Sequence, residues 1–133
     1  MKEVQGYPYV VKTCKVKFET SDGYETIGYD FTPLGGIGAN DIMGLAKKVH
    51  KYLAGLCIND LHELDKDGRL ASAFVEIDCN TLEFGFDGCP FTVTCDYISL
   101  FSNDFIDPRA SFKPALYVCG FYVGELFKYA DED

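Results

Sequence analysis

The sequence predicts an α+β domain, in which an antiparallel sheet, made of an N-terminal hairpin and a C-terminal meander, packs against one principal amphipathic helix. Three observations carry this. Apolar and polar residues alternate in short stretches bounded by turn signals near both ends of the chain; one central stretch changes to a helical period; and aromatic and β-branched residues fill the alternating stretches. The chain has 133 residues, 47% of them hydrophobic, which suits one core, so residues 1–133 are read as a single domain.

The first element is "YVVKTCKVKFE" (9–19), whose alternation puts Val10, Cys14, Val16 and Phe18 on one face and Val11, Thr13, Lys15 and Lys17 on the other. "SDG" (21–23) is a turn signal, and "YETIGYDF" resumes the alternation with Ile27, Tyr29 and Phe31, giving a hairpin with lysines on its outer face. A glycine-rich connection, "TPLGGIGAND" (32–41), leads to the helix, with Asn40 as the N-cap and Asp41 at the positive end of the dipole. The helix runs to Leu56 or Cys57. Ile42, Leu45, Ala46, Val49, Leu53 and Leu56 form its apolar stripe, opposite Lys47, Lys48 and Lys51.

"NDLHELDKDG" (59–68) reads as a polar connection into three short strands, 69–79, 82–87 and 90–98, separated by turn signals at Asn80-Thr81 and Asp87-Gly88. Residues 102–114 read as an ordered loop, "ALYVCGFYV" (115–123) as one buried strand, and "ADED" as a solvated tail. Phe127 and Tyr129, if exposed, would offer a patch for a homodimer or another partner.

The glycine-rich connection invites a phosphate, but the motif fails. It has no Gly-Lys pair of a Walker loop, and where Gly36 and Gly38 supply the first two glycines of a dinucleotide fingerprint, Asp41 takes the place of the third. The expected role is a flexible connector that ends in a helix cap. The alternative is a small-molecule pocket near Gly35–Asp41, in a binding protein or an enzyme. "ELDKDG" (63–68) fails as a calcium loop, because aligning Gly68 with the obligatory glycine puts Phe74 where a bidentate glutamate is needed.

Composition excludes more than it names. Lys and Arg number 12 against 21 Asp and Glu, a formal charge of −9. Residues 1–51 hold seven lysines and six acids, so nearly all the excess lies in 52–133, with five bases against fifteen acids. Direct nucleic-acid binding is disfavoured there, and a basic partner favoured. "MKEVQGYPYV" lacks the apolar run of a secretory signal and no segment is long enough to cross a membrane, so a cytoplasmic location is expected. The six cysteines are then expected to be reduced, and their spacing gives no zinc pair. With only His50 and His62 available, no catalytic set, cofactor or metal site is expected.

One cluster suggests an interaction. Glu76 and Asp78 project from the same side of a strand, and adjacent strands would bring Glu83, Asp87 and Asp96 to that face as an array of carboxylates. The expected function is stoichiometric binding of a protein partner whose basic surface ordinarily holds nucleic acid. Bacterial immunity proteins and phage-encoded inhibitors share that composition, an analogy of class only.

Overall fold

The structure, a computed structural model, describes residues 7–83, 86–95 and 114–126. Among these residues eight strands and two α-helices follow in chain order: β1 (Tyr9–Val11), β2 (Thr13–Thr20), β3 (Gly23–Asp30), β4 (Ile37–Ala39), α1 (Ile42–Leu56), α2 (Ile58–Lys66), β5 (Leu70–Glu83), β6 (Phe86–Cys95), β7 (Ala115–Val118) and β8 (Phe121–Glu125). All strand pairs are antiparallel, in the order β3-β2-β5-β6-β7-β8, with β1 beside β5 and β4 beside β1. This is the α+β class that the sequence predicts.

The core lies between one face of the sheet and α1. Val16 and Phe18 of β2, Val75 and Ile77 of β5, Phe91 and Val93 of β6 and Leu116 of β7 meet Leu45, Ala46, Val49 and Leu53 of the helix. Each is almost fully buried, a contribution of about 1.5–3 kcal/mol for a typical large apolar side chain.

Several elements differ in detail from the sequence reading. The N-terminal stretch is two strands, broken at Lys12, whose carbonyl accepts from the Phe31 amide at 2.7 Å. The extra residue reverses the alternation, so Val11 is in the core and Val10 only half-buried. The helix cap is Asp41, not Asn40: its carboxylate accepts from the Gly44 amide at 2.6 Å. On α1 the core stripe takes in His50 and Ala54, whereas Leu56 is exposed.

Residues 59–68 belong largely to a second helix. Leu61 and Leu64, three residues apart, are buried, and Gly68 follows with φ 69° as a left-handed cap. The chain passes from α1 to α2 through Cys57 alone, whose amide donates to the Leu53 carbonyl and whose carbonyl accepts from the Leu61 amide, both at 2.9 Å. The predicted strands 69–79 and 82–87 merge into β5 and the start of β6. Asn80–Leu82 is a register shift inside β5 rather than a turn, and Asp87-Gly88 lies within β6.

The apolar run 115–123 is a hairpin instead of one strand. Cys119 (φ 52°) and Gly120 (φ 84°) both take the left-handed conformation that a tight two-residue turn requires. The loop at 102–113 and the aromatic Phe127 and Tyr129 lie outside the described residues.

Candidate functional site

The glycine segment forms one wall of a groove. Asp30 starts it: its carboxylate accepts from the Thr32 hydroxyl at 2.6 Å and the Thr32 amide at 2.9 Å, opening a single 3-10 turn at Thr32–Leu34. Those two bonds, the hydroxyl's first, hold the Asp30 carboxyl below the ordinary aspartate value. Gly35 and Gly36 then reverse the chain with φ of 83° and 99°. Gly36 also packs tightly, since a Cβ there would stand 2.9 Å from Val10 Cγ1 and 3.1 Å from the Val11 carbonyl oxygen. Gly38 serves a different purpose: a Cβ would come within 2.6 Å of the Tyr7 ring. The glycines admit β1 and Tyr7 close to β4, so the segment's spacing is explained by packing.

The facing wall is α1. Lys48, Lys51, Tyr52, Gly55 and Leu56 line the groove with Tyr7, Leu34 and Gly36–Gly38, enclosing about 630 Å³. At 100° per residue these five helix positions span about 140°, a face that adjoins the core stripe at Leu45. Both aromatic walls are fixed. Tyr52 packs edge-on against buried Phe31, with centroids 5.6 Å apart, and the Tyr7 ring lies under the Lys48 ammonium at 4.8 Å. That ammonium also donates to the Gly38 carbonyl at 2.6 Å, tying the helix to the glycine wall.

Three large apolar side chains of this groove face solvent: Leu34 at 38%, Tyr52 at 39% and Leu56 at 45% exposure. They cluster, and a cluster of exposed apolar groups in a concavity marks a binding surface more than scattered ones do. Sequence reasoning offered a pocket near Gly35–Asp41 only as an alternative and missed the helix wall. The signal was present as Tyr52 and Leu56, four residues apart at the edge of the helix's apolar stripe.

The carboxylates fall elsewhere. Glu76 and Asp78 stand on the outer face of the sheet, where β2 lies opposite them in register: Lys17 faces Glu76 and Lys15 faces Asp78. Lys17 Nζ is 3.3 Å from Glu76 Oε1, and Asp78 accepts from the Thr92 hydroxyl at 3.0 Å. The lysine face of the first hairpin and the acidic face of the meander are therefore one mixed face. Backbone register places Glu83 opposite Phe86 and Leu82 opposite Asp87. The side chains of Glu83 and Asp87 lie outside the described residues. Asp96 lies outside the described residues.

Buried titratable groups cluster on the inner side. The Tyr29 hydroxyl donates to Asp60 Oδ2 at 2.6 Å, and burial followed by that bond raises its pKa well above the ordinary tyrosine value. Burial, with the nearby Asp60 charge, pushes the Cys57 thiol up to about 12. The Cys79 thiol, against Cys14 across the β2–β5 pair, is raised as well, chiefly by its bond with Cys14 and then by burial. These thiols are held protonated, which suits packing rather than nucleophilic attack. Among the described residues, no three His, Cys, Asp or Glu side chains gather as a metal site, and no helix is long and apolar enough to cross a membrane.

The chain matches no protein-family model, no curated protein and no solved structure. Fold and groove together define a class no narrower than a small α+β protein with an open apolar groove beside its principal helix.

Proposed function

We propose that this protein binds a small molecule in the groove between the glycine segment and α1. One observation carries the reading. A concavity of about 630 Å³ is lined by exposed Leu34, Tyr52 and Leu56 and framed by two tyrosine rings held in place by neighbours. That volume falls in the range of small-ligand sites, which are mostly apolar with a few polar groups that fix orientation. Walls set before binding reduce the ordering cost that a ligand must overcome.

The expectation of a basic protein partner rests on a carboxylate array, and Lys15 and Lys17 stand in the same rows as Glu76 and Asp78. Their charges reduce the negative potential of that face, so the groove is the better-supported site.

Thermal melts against a panel of small amphipathic compounds test the proposal. A true ligand at a hundredfold excess over its Kd stabilises the fold by about 2.7 kcal/mol, a readable rise in Tm. Leu56→Glu, at an exposed position, should leave the unliganded melt nearly unchanged and abolish the rise. A ligand that shifts wild type and Leu56→Glu equally would place binding elsewhere.

A further inference from the structure

Resting on the groove reading, we infer that the groove selects an anionic ligand with a flat apolar body, the class of aryl carboxylates, sulfonates and phosphates. The protein carries a formal charge of −9, yet among the described residues the groove lining contains two lysines and no carboxylate. Such a lining runs against the charge of the whole chain and creates a local site for a negative group.

The two lysines have different tasks. Lys48 is committed to the Gly38 carbonyl and the Tyr7 ring. Lys51, one turn further along the same face, is exposed, and among the described residues no carboxylate pairs with it. It is the cation available to a ligand. The apolar body then lies toward Tyr52, Gly55 and Leu56 with Leu34 opposite, so that the ligand's charge stays away from the negative C-terminal end of the helix dipole. A ring is the shape that matches, because Tyr7 and Tyr52 both line the groove and Gly55, with no side chain, leaves room beside Lys51.

A matched pair of fluorescent probes separates charge from apolar fit: anilinonaphthalene sulfonate, which is anionic, and N-phenylnaphthylamine, which has similar rings and no charge. Wild type should bind the sulfonate at least fivefold more tightly at low salt, and added salt should narrow the difference. Lys51→Gln should weaken the sulfonate at least fivefold and change the neutral probe less than twofold, while Lys51→Arg restores the preference. Equal binding of the two probes by wild type, or equal loss of both in Lys51→Gln, would overturn the anion inference. In that case binding of both probes that disappears in Leu56→Glu would leave the groove reading standing. Failure of both probes to bind, or binding of both that Leu56→Glu does not reduce, would overturn both readings.

Discussion

His50 sits inside α1 with no exposed surface, and burial lowers its pKa from the ordinary 6.5 to about 4. It is therefore neutral in the fold at pH 7. Between pH 6.5 and about 4 the unfolded chain takes up a proton at this site that the folded chain refuses, so stability falls as pH falls through that window. Going from pH 7 to 4.5 should cost about 2–3 kcal/mol from this group. Urea unfolding at the two pH values measures the loss, and His50→Leu should remove that part of the slope while the carboxylate part stays. An unchanged slope in the variant would show that His50 takes its proton in the fold. The glycines make a second point at this scale. Gly36 is required by a left-handed backbone and a close carbonyl, whereas Gly38 is required by the Tyr7 ring, and one letter in the sequence stands for both causes.

Helix α2 shows how an element with few apolar residues is held. Its polar residues, Asp60, His62, Glu63, Asp65 and Lys66, conceal a minimal stripe of Leu61 and Leu64, and Leu61 has no exposed surface. The Tyr29–Asp60 bond adds a polar tie to β3. Leu61→Ala should lower stability by about 2–5 kcal/mol, through lost burial and the cavity left behind. Chemical denaturation gives the number directly; a loss under 1 kcal/mol would mean that α2 is not anchored there. The β7–β8 hairpin fails the sequence reading for another reason. "VCGF" contains no Asn or Asp to announce a turn, and only the paired positive φ angles of Cys119 and Gly120 reveal it.

Across the whole molecule, the outer sheet face is a meeting of two charge sets far apart in the linear sequence, Lys17 Nζ and Glu76 Oε1 being 3.3 Å from one another. Both side chains are about a third exposed, so the pair contributes only about 0–1 kcal/mol. Glu76→Gln with Asp78→Asn should therefore change stability by less than about 1 kcal/mol, and 1 M salt should erase most of the change. A larger, salt-resistant loss would mean that the face is held by buried charge. If a basic protein is also bound, the double variant would weaken that complex without altering probe binding in the groove, which separates the two surfaces.

The sequence by itself determined the α+β class, the first hairpin with Cys14, Val16 and Phe18 together on one face, and the extent of α1. Each of these is local: a period of two or 3.6 places a side chain on a face whatever lies beyond it. The tertiary structure decided which faces coincide. It brought Lys15 and Lys17 beside Glu76 and Asp78, and set Tyr7 against Gly38 and under Lys48. It also turned Tyr52 and Leu56 toward Leu34 across a groove. None of these encounters has a fixed spacing along the chain, because strand order, the register shift at Asn80–Leu82 and the interruption at Lys12 set the distances between residues that periodicity alone cannot relate.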